Sequence, residues 1–253
     1  MQFRLLGPIE VVDDQGRTLS VVQSRVRGLL WLLLLWANRP VTPEELSEAL
    51  WVRPPAGFQG AMRTHVWALR RQLGSTDRLG KDTVGYRLAV WPGERDLDDF
   101  RLQASAGMHA LYAGDARAAE AGLVKALSLW RDPYLADLPD TAAAAVLGRR
   151  LLEERRLAAE QLVDARVALG HYREVLGELR EKVAAEPLNE RAWQQLMLSL
   201  YCCGRRAEAL EAYRWAYDVL ANGHGIDPGP GLRRLHERIL ADDPSLTSNV
   251  LAG

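Results

Sequence analysis

Apolar positions change their period along this chain, and each change marks an element. Gln2 to Leu6 and Ile9 to Val12 are short β-prone runs separated by Gly7-Pro8. The turn Asp13-Asp14-Gln15-Gly16 follows, then a third run from Thr18 to Val22, which together predict a small antiparallel sheet. Val26 to Asn38 is apolar on every side, so it predicts a buried helix ended by Pro40. Thr42-Pro43-Glu44-Glu45 is a helix start: Thr42 as N-cap, Pro43 at the first position and Glu45 three residues on, as in a capping box. That helix should run to about Trp51, before Pro54-Pro55. From Phe58 to Gly74, Met62, Val66, Leu69 and Leu73 recur at helical spacing and form one apolar stripe. Thr64, Trp67 and Arg71 fall opposite, with Arg63 and Arg70 on one flank, and Gly74 supplies the stop. Ser75 to Leu79 and Thr83 to Val90 can pair as a hairpin around Gly80.

Pro92-Gly93 marks a boundary, and beyond Asp96 the strand signal vanishes. Three segments there resemble each other, opening at Gly114, Gly170 and Gly204. The last two glycines are 34 residues apart, the tetratricopeptide period. A longer helix from about Thr141 to Leu169 takes up the wider first spacing. Such repeats stack helix pairs into a body with a concave face suited to protein partners.

Charge sharpens this division. The whole chain carries −1, but residues 1–95 hold 13 Lys and Arg against 9 Asp and Glu, and the remainder holds 19 against 24. No acid occurs between Glu48 and Asp77, so the helix over 58–74 has an acid-free outer face. Two tandem helices, the second basic, followed by a hairpin, have the layout of a winged helix. In that layout Arg63, Thr64, Trp67 and Arg71 face the major groove and Arg70 meets a phosphate. Lys81, Thr83, Tyr86 and Arg87 lie on or near the wing. A solvated amphipathic helix would show the same stripe.

Other chemistry is sparse. Cys202 and Cys203 are neighbours, which suits buried small residues in a helix and excludes a disulfide framework. The five histidines form no close pair and no C-x-x-C occurs, so no metal site or cofactor is expected. No nucleophile or P-loop motif points to an enzyme or an ATP-driven mechanism. Gly28 to Ala37 is too short to span a bilayer and lacks the position of a signal peptide, so a cytoplasmic protein is expected. Arg149-Arg150 and Arg155-Arg156 should pair with nearby Glu along a helix.

Several blocks in one order carry a resemblance. F-R-L-L-G-P-I-E-V, E-E-L-S-E-A-L-W before P-P, H-V-W-A-L-R-R-Q-L-G and G-Y-R-L-A-V lie in the first part. A-L-S-L-W-R-D-P-Y-L-A-D-L, P-L-N-E-R-A-W-Q-Q-L-M-L-S-L-Y and G-I-D-P-G-P-G-L-R-R-L-H-E-R-I-L lie in the second. Together they resemble the Streptomyces antibiotic regulatory protein (SARP) family over about residues 2–244. The resemblance implies an α+β winged helix of the OmpR type at 1–93, then an all-α tetratricopeptide-like bacterial transcriptional activation domain at 94–245; residues 246–253, beyond it, are expected to form a disordered tail. It implies binding to direct repeats in promoter DNA, with copies side by side or as a homodimer, and recruitment of the RNA polymerase holoenzyme. It also implies control of a secondary-metabolite gene cluster. Phe58, Gly60 and Trp67 depart from the family's usual residues, which bears on the DNA sequence read. They also leave a rival reading, a protein-interaction adaptor whose winged helix no longer reads DNA.

Overall fold

The computed structural model describes residues 1–74 and 78–246. It divides into two compact units: Met1–His109 with Ala121–Ala159, and Ala110–Glu120 with the chain from Glu160 onward. The division falls inside three helices, α4 (Asp96–Tyr112), α5 (Ala116–Ser128) and α6 (Ala142–Ala168).

The first unit opens with an antiparallel sheet of β1 (Gln2–Arg4), β2 (Glu10–Val12) and β3 (Thr18–Leu19). Phe3 pairs with Val11, and Val11 with Leu19, which puts apolar side chains on one inner face. The Asp13–Gly16 turn closes as predicted, with Asp13 N–H donating to the Arg17 carbonyl at 2.9 Å. Next comes α1 (Ser24–Leu35), buried nearly all round from Gly28 to Leu34, as its unbroken apolar run requires. Its end is set earlier than Pro40. Asn38 adopts a left-handed φ of 66° and its amide group exchanges hydrogen bonds with Val90, at 2.8 and 2.9 Å. The capping box forms at α2 (Pro43–Leu50): Glu45 N–H donates to the Thr42 hydroxyl, and Thr42 N–H donates to the Glu45 carboxylate.

α3 (Phe58–Gln72) buries Met62, Val66 and Leu69 against α1 and α2. The hairpin after it is β4 (Leu79–Lys81) paired with β5 (Tyr86–Leu88). Its turn differs from the expected one. Gly80 lies within β4, opposite Arg87, and the chain reverses over Asp82–Gly85. The cause is local chemistry: the Asp82 carboxylate accepts from Val84 N–H and Gly85 N–H at 2.9 and 3.0 Å. Ser75 to Asp77, the expected first residues of the hairpin, lie outside the described residues. β5 is anchored at Val41, where Val41 and Tyr86 exchange backbone hydrogen bonds at 2.8 Å. Gly85 permits this, since a Cβ there would fall 1.9 Å from the Val41 carbonyl oxygen.

Residues after 93 complete this unit. The buried Asp96 carboxylate accepts from Leu5 N–H and Leu6 N–H at 2.9 to 3.1 Å. Burial pushes its carboxyl up to about 6, against the pull of those N–H groups. Arg131 bonds Glu10 and the Pro8 carbonyl, Asp137 accepts from Arg27 and from Ile9 N–H, and the Thr141 hydroxyl donates to the Ala49 carbonyl.

The second unit has no strand among its described residues, and its helices are joined by short turns and by an extended stretch before the last α-helix. It contains the end of α6, then α7 (Tyr172–Ala185), α8 (Glu190–Cys202), α9 (Arg206–Tyr217), a π-helical turn (Asp218–Gly223) and α10 (Pro230–Leu240). Val175, Leu179, Trp193, Met197, Leu200, Ala209 and Ile239 belong to one core. The three glycines marking the repeats share one geometry. Gly114, Gly170 and Gly204 have φ of 82°, 78° and 75°, and the N–H after each closes a Schellman bond to the carbonyl five residues back, at 2.9 Å in every case. α6 has nearly the length its pattern predicts, with Thr141 accepting from Ala144 N–H at its start. Cys202 and Cys203 are free and half-buried.

Candidate nucleic-acid interface

The face of α3 opposite its buried stripe carries Arg63, Thr64, Trp67 and Arg71, all exposed. Their spacing places them along one side, one helical turn after another. Trp67 is 59% exposed. Its ring carries the Arg71 guanidinium, 5.1 Å from the ring centroid. A ring one turn before an arginine can hold the guanidinium over its face, and Arg71 stays exposed there. The Thr64 hydroxyl donates back to the Gly60 carbonyl at 3.2 Å.

Arg70 is held differently. Its Nε donates to the Leu79 carbonyl at 2.9 Å, which ties the helix to the base of the wing. On the hairpin, Lys81, Thr83 and Arg87 are exposed. Tyr86 does not join them: it is 3% exposed, turned inward beside Leu88, with the Lys81 ammonium 5.5 Å from its ring centroid. The β5 alternation explains this, since Tyr86 and Leu88 share the inward face and Arg87 takes the outward one. The expected nine residues therefore separate into seven exposed groups, one bridging arginine and one core tyrosine.

Two exposed residues of the same stretch were missed, Arg53 in the connection between α2 and α3 and Gln59 in the first turn of α3. Their only sequence signal was membership of the acid-free stretch. Arg53, Arg63, Arg71, Lys81 and Arg87 make no ion pair among the described residues. Cations held in no ion pair are available to a polyanion. His65, on the inner flank, has its ring 5.8 Å from that of Trp51; burial and Arg25 both lower its pKa, so it adds no further charge near neutral pH. The base of the wing is set by Arg78, which stacks 3.8 Å from the Trp91 ring centroid and forms a two-pronged ion pair with Glu94. Burial works to raise the Glu94 pKa, but Arg78, the Trp91 N–H and the terminal amine bring it to about 2.

Elsewhere, Glu120, His171 and Glu174 offer ligand atoms within 4.8 Å of one another, the one such group among the described residues. Arg166 donates to Glu120 at 3.1 Å, so a fixed positive charge already stands beside that carboxylate. Arg156 pairs with Glu153, while Arg155 donates to the Tyr134 hydroxyl rather than to a glutamate. No described helix is long and apolar enough to cross a membrane.

A recognition-type helix braced by a wing, with helical repeats behind it in sequence, defines a winged-helix regulator with an attached repeat domain. Comparison with known proteins gives the same class. Residues 95–240 match the bacterial transcriptional activator domain, and residues 18–88 match the C-terminal domain of transcriptional regulatory proteins. The regulatory protein DnrI of Streptomyces peucetius is 31% identical over 262 residues, covering 98% of this chain and 95% of DnrI. The transcriptional regulatory protein EmbR of Mycobacterium tuberculosis is 36% identical over 250 residues, covering 96% of this chain and 64% of EmbR. A solved structure of M. tuberculosis EmbR in complex with a low-affinity phosphopeptide superposes with a TM-score of 0.83 at 35% identity, covering 98% of this chain and 68% of that one. The chain belongs to the SARP family of transcriptional regulators, whose relatives here are regulatory proteins and not enzymes.

Proposed function

We propose that this chain is a sequence-specific transcriptional activator that binds direct repeats in promoter DNA and recruits the RNA polymerase holoenzyme. Its target would be a secondary-metabolite gene cluster in the cytoplasm of its host. The observation that carries the reading is the acid-free exposed stripe of Arg63, Thr64, Trp67 and Arg71. Arg71, held over Trp67, is the candidate for two-pronged pairing with guanine, and Trp67 can meet a thymine methyl. Lys81, Thr83 and Arg87 would serve the wing, while Tyr86 supports it from inside and Arg70 braces helix against wing. Residues 1–93 would supply DNA contact and 94–245 the polymerase contact. Direct repeats call for copies set side by side, which differs from two-fold dimerisation.

The test is footprinting on promoters flanking the gene, followed by gel shifts with variants. Arg71→Ala should weaken specific binding by about 1–3 kcal/mol and leave the thermal midpoint unchanged. Lys81→Ala should weaken all sequences alike and flatten the salt dependence by about one unit of slope. No footprint on any flanking promoter would favour the adaptor reading.

A further inference from the structure

The second unit carries a groove that no part of the DNA-binding reading uses. It is a cavity of about 350 Å³ open between α7 and α9, lying over α8. That volume is within the range of small-molecule sites. Trp193, Leu196 and Leu200 of α8 are buried and form its floor, with Ala184 on one side and Ala212 and Trp215 on the other. Trp193 donates its indole N–H to the Pro187 carbonyl at 2.9 Å, so it presents only an apolar face. Trp215 is 61% exposed, a large ring left uncovered at the edge of an apolar groove.

The polar groups at the rim decide what such a groove can take. Arg180 and Glu208 pair at 3.2 Å, and Arg205 also holds Glu208, at 2.6 Å. Glu208 is therefore already met twice. Glu211 makes no ion pair among the described residues and stands one helical turn before Trp215. An unpaired carboxylate beside an uncovered indole ring is suited to a cation, through charge and through the ring face together. An anion would meet Glu211 and find Arg180 engaged.

We infer that this groove is a binding site for a small organic cation with a flat apolar body, such as a two-ring aromatic amine. The apolar body lies over Leu196 and Leu200, its ring against Trp215, and its ammonium beside Glu211. The inference is independent of the DNA-binding reading, since every residue it uses lies in the second unit.

The experiment is a titration of the full chain, labelled with nitrogen-15, followed through its indole N–H signals. Trp215→Phe assigns the Trp215 signal among the eight tryptophans. The probes are 1-naphthylmethylammonium, neutral 1-naphthylmethanol and anionic 1-naphthoate. The cation should move the Trp215 and Trp193 signals saturably at one equivalent, with higher affinity than either other probe. Glu211→Gln should weaken the cation by about two- to fivefold, the worth of one exposed ion pair, and leave the alcohol unchanged. Ala184→Trp, at an exposed position, should fill the groove and abolish all shifts. If that variant does not fold, Trp215→Leu provides the same loss. Absence of saturable shifts, equal binding of naphthoate, or an unaffected Glu211→Gln titration overturns the proposal.

Discussion

The wing and the repeat turns are both reversals of the chain, and they are built in opposite ways. The wing is anchored by partners far away in sequence, Tyr86 by Val41 and Val90 by Asn38, and at its base by Arg70, nine residues before Leu79. Each repeat turn is held by its own glycine and a carbonyl five residues back. The contrast teaches that the first unit depends on single close approaches, while the second is a series of like joints. In such a series the loss of one joint is borne by its neighbours.

That contrast can be broken most severely at Gly85. Gly85→Ala sets a Cβ against the Val41 carbonyl, and should cost about 4 kcal/mol in urea unfolding or detach the wing from Val41. A cost under 1 kcal/mol would mean that the wing is not seated as described. Asp96→Ala comes next, at about 2–3 kcal/mol at pH 7, because Leu5 and Leu6 N–H lose their acceptor. Its pH signature is distinct. With a carboxyl raised from 3.8 to about 6 in the fold, the native state holds a proton that the unfolded chain has released. Stability from this group is therefore full below about pH 4 and falls as pH rises through 6. Unfolding curves from pH 4 to 7 should show that decline in the parent and not in Asp96→Ala.

Gly204→Ala tests the repeat side of the comparison. A left-handed φ of 75° costs an alanine about 1–2 kcal/mol, with no distant contact to disturb. Hydrogen exchange should show the loosening confined to the ends of α8 and α9. Gly60→Ala is the smallest change and has the opposite sign. A Cβ there meets only the Arg63 side chain, at 3.8 Å, so helix propensity should stabilise the protein by roughly 0.5–1 kcal/mol. A fall in the thermal midpoint would show a demand on Gly60 that the fold does not reveal.

Most of what the sequence makes legible lies on the local side of this division, although the wing turn, which is local too, does not follow it. The capping box at Thr42 and Glu45, the amphipathic stripe of α3, the length of α6 and the three repeat glycines are all encoded within a few residues, and all four were legible. The wing turn was misplaced because Gly80 looked like a turn residue, whereas Asp82 supplies the carboxylate that closes the reversal. Tyr86 is expected on or near the wing from its place in the hairpin, and the inward face it shares with Leu88 turns it into the core instead. Arg70 and Arg71 are neighbours of one type. Nothing local distinguishes the one that braces the Leu79 carbonyl from the one that stacks on Trp67.

By itself the sequence determined where helices start and stop, which face of α3 is apolar and where the glycine joints fall. These depend on dihedral preference, periodicity and capping within one or two turns. Only the tertiary structure decided which cations stay free, which aromatic ring is buried, and where Asp96 finds its partners. Those outcomes depend on groups beyond the local turn, from nine residues away for Arg70 to about ninety for Asp96, where burial and hydrogen-bond geometry outweigh any local preference.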